Sequence, residues 1–276
     1  MWNNRCIILF ILWQPTLIGV GIIICMQAEV IQQLLDINYQ FYQTFGEAFA
    51  ATRRRVQPGI RHVLEKISPN GFWLDLGCGS GALAQYWASE QRQGGYHGLD
   101  FSAVLLQEAR DLLTEMTIPS GLEIQFMQAD LLTTDWITKL ERRAYDGVLC
   151  FAALHHIPGY KIRLGLVQMV RSLLPEGGRF IHSNWQFHHS PRLMARVQPW
   201  SQIGVEVDLL EDGDTLLDWR YALPGQNEQV GYRYVHRFSS VEFEQLAKEG
   251  GFQILESFES DGEGGRLGIY QVWQAI

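Results

Sequence analysis

The sequence predicts an α/β protein built on a doubly wound, mainly parallel sheet, and three observations predict it. Apolar runs ending in glycine or an acid alternate with helical patterns from Phe72 to Asn184. The first run, Phe72–Leu76, leads directly into Gly77-Cys78-Gly79-Ser80-Gly81 and then into a helical pattern from Ala82. Two late apolar runs, Phe252–Glu259 and Leu267–Trp273, flank the turn-rich Ser260-Asp261-Gly262-Glu263-Gly264-Gly265 and predict a terminal antiparallel hairpin.

The glycine stretch organises the rest. Strand, glycine turn and helix start present backbone N–H groups and a positive dipole end to a ligand. Glycine lets the backbone turn tightly and the ligand approach closely. The spacing G-x-G-x-G departs from the G-x-G-x-x-G of dinucleotide sites, and Asp75 stands two residues before Gly77. A buried acid there repels a pyrophosphate and suits a cationic ligand with a free amino group.

The next elements follow in order. Tyr96–Asp100 reads as a second strand, its acid about 20 residues past the turn, where a carboxylate accepts hydrogen bonds from ribose hydroxyls. Phe101 follows, and Ser102 is a natural N-cap for a helix over 103–116. Glu123–Asp130 is a third strand ending in an acid, and Leu131 follows it. Tyr145–Phe151 is a fourth strand, continuing into Ala153-Leu154-His155-His156. A helix over 160–174 ends at Pro175-Glu176-Gly177-Gly178, before a fifth strand over 179–184. In such a sheet ligands sit at the carboxyl ends of the strands, where Asp75, Asp100, Asp130 and Phe151 all fall. From 186 to 231 the alternation stops and the sequence reads as irregular, an insertion over the site. A helix over 240–249 then precedes the hairpin.

Composition narrows the function classes. The net charge of −8 argues against a broad basic nucleic-acid surface. The four cysteines form no C-x-x-C pair, which predicts neither zinc site nor disulfide framework. His188-His189 lacks a third ligand at metal-like spacing, so no metal is predicted.

Ahead of the sheet, 27–50 carry apolar residues at helical spacing, followed by Arg53-Arg54-Arg55 and a short helix over 60–67. Cys6 to Met26 is apolar enough for a membrane span, although Pro15 interrupts it, and a secretory signal lacks a good cleavage site. Positive-inside bias would then carry the following chain out of the cytoplasm. Taking Met26 as the start removes that conflict. The resulting organisation is an apolar segment 1–26, a helical lid 27–69 and a main domain 70–276 with a cap at about 186–237. The expected location is cytoplasmic, with membrane attachment only if 1–26 forms an anchor.

Taken together, these motifs resemble the class I S-adenosylmethionine (SAM) methyltransferases over residues 70–276. The resemblance implies a seven-stranded Rossmann-like fold. It also implies SAM as cofactor, held by Asp75, Gly77, Cys78, Gly79, Gly81, Asp100, Phe101, Asp130, Leu131 and Phe151. A narrower resemblance rests on Tyr42, Phe49, Thr52 and Arg53 at the spacing Y-x6-F-x2-T-R, on Ala153-Leu154-His155-His156, and on Tyr232-Arg233-Tyr234-Val235-His236. These are similar to the methyltransferases that esterify a carboxymethyl group on the wobble uridine of tRNA, including the type fused to an AlkB-like oxygenase. That likeness places Arg53, His155, Trp185, Arg233, Tyr234 and His236 around the acceptor, with Arg53, His155, Tyr234 and His236 as its catalytic set.

Chemistry separates the acceptor classes. A carboxylate needs no base but needs cationic donors, for which Arg53, Arg54 and Arg233 are candidates. A hydroxyl or amine needs a base, for which His155, His156 or His236 would serve. Adjacent residues point to opposite sides, so His155 and His156 do not both face one site. The narrower resemblance implies tRNA as the acceptor, and a related branch would take a small carboxylate instead. The alternatives are a small-molecule O- or N-methyltransferase and a SAM-binding subunit that regulates without turnover.

Overall fold

The structure is a computed structural model, and it describes residues 26–51, 55–141, 144–221 and 228–276. The apolar segment before Met26 lies outside the described residues, as do Thr52, Arg53 and Arg54. Among the described residues no helix is long and apolar enough to cross a membrane.

Two helices, α1 (Ala28–Ala51) and α2 (Pro58–Lys66), precede the sheet. The alternation then runs β1 (Asn70–Leu76), α3 (Ala82–Ser89), β2 (Gln93–Asp100), α4 (Ala103–Thr114), β3 (Leu122–Gln128) and α5 (Asp135–Lys139). It continues through β4 (Gly147–Phe151), α6 (Tyr160–Ser172) and β5 (Arg179–Trp185). The chain next forms α7 (Pro191–Met194), β6 (Val197–Gln198), β7 (Asp214–Tyr221) and β8 (Gln229–His236). It closes with α8 (Ser240–Gly250), β9 (Phe252–Ser260) and β10 (Gly268–Ala275).

The main sheet has seven strands in the order β3-β2-β1-β4-β5-β10-β9. The first five are parallel; β10 runs antiparallel to both β5 and β9. Helices cover both faces, which is why β1 buries Trp73 through Leu76 without alternation. One core gathers Leu74, Val148, Phe180 and Trp273 with α6 and α8; the other gathers Trp73, Trp87, Tyr96 and Ile181 with α2 and α3. Strand order reverses between β1 and β4, so the crevice over their carboxyl ends is where ligands are expected. The predicted N-cap is present, since Ser102 Oγ accepts from Leu105 N at 3.3 Å.

The reading of 186–231 as irregular is corrected by β6, β7 and the start of β8, which form a three-stranded antiparallel sheet. Its middle strand hides charge: Asp218, 4% exposed, is paired with Arg196 and Arg220 at 3.4 and 3.0 Å. Mutual pairing makes such burial tolerable, and no apolar alternation signals it.

Two polar joints fasten this sheet to the main domain. Asn38 of α1, 6% exposed, behaves like a neighbouring strand: its Oδ1 accepts from Tyr234 N at 2.8 Å and its Nδ2 donates to Tyr234 O at 3.1 Å. At the second joint Arg163 of α6 pairs with Glu211 at 2.6 Å and Glu242 at 2.8 Å. His236 lies between Asp214 at 2.7 Å and Glu242 at 2.8 Å in the same network. Burial alone would lower the His236 pKa, but its bonds to the two carboxylates outweigh that and hold it above the ordinary imidazole value.

Candidate active site

A cleft of about 2140 Å³ runs along the carboxyl edge of the sheet and under α1 and the three-stranded sheet. That is more than one small ligand fills, and it leaves room for two side by side.

The half over β1 and β2 holds the predicted cofactor residues. Asp75, Gly77, Cys78, Gly79, Asp100, Phe101, Asp130, Leu131 and Phe151 all line the cleft. Gly77, Gly79 and Gly81 have φ values of +79°, +55° and +75°. Their roles differ. A Cβ on Gly77 would lie 2.7 Å from Ala153 Cβ, and one on Gly81 2.8 Å from Ala109 Cβ, so both serve packing. Gly81 is not among the described residues that line the cleft. A Cβ on Gly79 would meet nothing within 4 Å, so this glycine keeps space open.

The turn contributes room more than donors. Gly77 N and Cys78 N donate to Leu99 O at 2.7 and 2.9 Å, and Gly79 N donates to Asp100 Oδ2 at 2.9 Å. The positive end that remains is the start of α3, where Ala82 and Leu83 line the cleft.

Asp75 and Asp100 are 3% and 6% exposed, and no arginine or lysine among the described residues pairs with either. The Tyr96 hydroxyl donates to Asp75 Oδ2. Burial pushes the Asp75 carboxyl up to about 7, against the pull of that hydrogen bond. Burial also raises Asp100, opposed by the backbone N–H groups of Ser102 and Gly79. Two buried acids without a protein cation suit a cationic nucleoside, and the gap at Gly79 suits its close approach. Asp130 lies two residues beyond β3 rather than at its end, exposed, with Oδ1 accepting from Leu132 N at 3.0 Å. The residues present therefore fit SAM: Asp75 would hold its ammonium, Asp100 its ribose, and Asp130 and Leu131 its adenine.

The other half is aromatic and, among the described residues, carries the buried guanidinium of Arg233. Arg233 is 3% exposed, and its Cζ sits 4.8 Å from the Phe41 ring centre and 5.0 Å from that of Trp185. Tyr42, His156, Trp185, Trp219 and Arg233 line this half.

Three of the predicted catalytic residues are elsewhere. Tyr234 is fully buried and donates its hydroxyl to Asp214 at 2.7 Å. His236 is 1% exposed inside the carboxylate network. Pleating explains both: successive β8 residues alternate, so Arg233 faces the cleft while Tyr234 and His236 turn toward Asp214. His155 is fully buried behind Trp185, stacked on it at 5.4 Å, and His156 takes the cleft position. Arg53 lies outside the described residues. Tyr96 and Asn38, which support the site from behind, carry no local sequence signal, because their partners are 21 and 196 residues away.

The fold is similar to that of the Rossmann-like, SAM-dependent methyltransferases. The sequence profile of the methyltransferase domain family matches residues 74–177, from β1 to the turn before β5. The chain is 24% identical over 235 residues to a tRNA (carboxymethyluridine(34)-5-O)-methyltransferase of Schizosaccharomyces pombe, covering 79% of this chain and 89% of that protein. It is 19% identical over 197 residues to a probable tRNA methyltransferase 9B of Bos taurus, covering 70% of this chain but only 38% of that protein. A Vibrio cholerae ubiquinone biosynthesis O-methyltransferase is 31% identical over 128 residues, 45% of this chain and 46% of its own. Among solved structures, a SAM-dependent methyltransferase from Clostridium acetobutylicum superimposes with a TM-score of 0.57 at 16% identity, over 89% of this chain and 92% of that one. That likeness is one of fold.

Proposed function

We propose that the chain methylates a carboxylate, in the manner of the carboxymethyluridine methyltransferase it resembles, so that the product is a methyl ester. The observation that carries this reading is the Arg233 guanidinium, buried against Phe41 and Trp185 in the aromatic half of the cleft. A guanidinium held against two rings keeps its plane fixed, and its edge offers paired donors that match a carboxylate.

SAM, when bound, supplies a methyl already activated on a sulfonium. The work left to the protein is positioning. Arg233 orients the carboxylate and offsets its charge, Trp185 and Trp219 wall the acceptor side, and Asp75 and Asp100 fix the cofactor side. No proton has to move for an ionised carboxylate to attack.

A tRNA carrying a carboxymethyl group on a uridine is the acceptor that the S. pombe relative's name supports. The test incubates the protein with methyl-labelled SAM and either total tRNA or a small-metabolite extract, then treats the product with mild base. Label in tRNA that base removes is the expected result. Label confined to the metabolite fraction, or label none of which base removes, would refute the tRNA ester.

A further inference from the structure

We propose that Tyr42 and His156 form a proton-accepting pair that equips the same cleft for a second acceptor class, one that loses a proton from O–H or N–H as it is methylated. This goes beyond the carboxylate reading, which uses no base.

The geometry fixes the direction of the pair. His156 Nδ1 lies 3.0 Å from the carbonyl oxygen of Tyr234. A carbonyl only accepts, so Nδ1 carries the proton and, in the neutral ring, Nε2 offers its lone pair. Tyr42 Oη lies 3.2 Å from that Nε2 and is the donor of the bond. The phenol proton is thus aimed at a base that is itself oriented from behind, the arrangement that general-base catalysis needs.

Both residues are held for this position. Asn38, one helical turn before Tyr42, donates to the carbonyl of His156 at 3.2 Å and to that of Tyr234 at 3.1 Å. One face of α1 therefore fixes the backbone of the base, the carbonyl that sets its tautomer, and the phenol beside it. The pair also sits where the two halves of the cleft meet. Tyr42 is edge-on to Phe101 at 5.8 Å, and His156 is edge-on to Trp185 at 6.2 Å. Both line the cleft and neither is fully buried.

The step balances as a displacement with proton transfer. The acceptor's proton passes to the Tyr42 oxygen while the Tyr42 proton passes to His156 Nε2, leaving an imidazolium that still donates from Nδ1 to Tyr234. The acceptor's lone pair forms the bond to the methyl carbon as the carbon–sulfur bond breaks, and that pair stays on sulfur. The proton on Nε2 returns to solvent after product leaves.

The experiment uses the full chain, methyl-labelled SAM, total tRNA and a small-metabolite extract, and divides the product into base-labile and base-stable label. Esters fall in the first class, ethers and methylamines in the second. Wild type is expected to give base-stable label, and Tyr42→Phe and His156→Gln to lower the ratio of base-stable to base-labile label by about 100-fold. Calorimetric SAM binding verifies that each variant is folded, and Tyr42→Phe, which keeps the ring, stands in should His156→Gln fail. Base-labile label alone would overturn the inference and leave the ester reading standing. Base-stable label that persists in both variants would overturn it as well. Base-stable label alone, lost in the variants, would uphold it and refute the ester; no label in any fraction would refute both.

Discussion

Binding of SAM should expel a proton from Asp75. In the ligand-free protein burial holds this carboxyl at about 7 against an ordinary 3.8. At pH 6 it is therefore about nine-tenths protonated, while the ligand's amino group is fully charged. An ammonium brought against the carboxylate favours ionisation, so binding at pH 6 releases close to ~0.9 proton, falling to ~0.1 at pH 8. The apparent affinity should weaken about tenfold for each pH step below 7. Calorimetry in two buffers of different ionisation enthalpy reads the release directly. Asp75→Asn should abolish it, and 5′-methylthioadenosine, which lacks the ammonium, should not provoke it. The unliganded fold gives the converse signal. Its Asp75 binds more protons than the unfolded chain between about pH 4 and 7, so stability falls with rising pH across that window. About 4 kcal/mol is at stake above it, and Asp75→Asn should melt higher than wild type at pH 8. A binding enthalpy at pH 6 that is the same in both buffers would refute the reasoning.

Three further substitutions probe other parts of the account. Arg233→Ala should depress methyl transfer to the carboxylate acceptor about 30- to 1000-fold, with SAM affinity retained by calorimetry. Gly79→Ala places a side chain at φ +55°, costing about 1 kcal/mol of stability, and fills the gap beside Asp100; SAM affinity should fall at least about tenfold. His236→Ala leaves Asp214 and Glu242 without the imidazole that bonds both. Its melting temperature should drop by about 6–12 °C. Because the folded His236 pKa is raised, its contribution is complete below about pH 6.5 and is lost as pH rises through the folded value, so wild type should lose more stability than His236→Gln between pH 6 and pH 9.

The main sheet was legible because its signals are local. A glycine turn, apolar runs closed by Asp75 and Asp100, and Ser102 as cap each act within a few residues of chain. The small sheet was not, because β7 hides Asp218 by pairing it with Arg196 and Arg220 rather than by apolar alternation. That Asp75, Asp100 and Phe151 line the cleft followed from strand tips alone. The acceptor half needed the pleat of β8, which separates Arg233 from Tyr234 and His236, and the one-residue phase that exposes His156 and buries His155. That pleat was present in the sequence as simple alternation. The staple from Asn38 to Tyr234 was not, since it joins residues 196 apart.

A crystal structure with S-adenosylhomocysteine bound tests the central claim most directly. The expected density has the ribose hydroxyls on Asp100, the amino group within reach of Asp75 and the purine beside Asp130 and Leu131. A nucleoside lying anywhere else in the cleft, or these carboxylates facing away from it, would contradict the account.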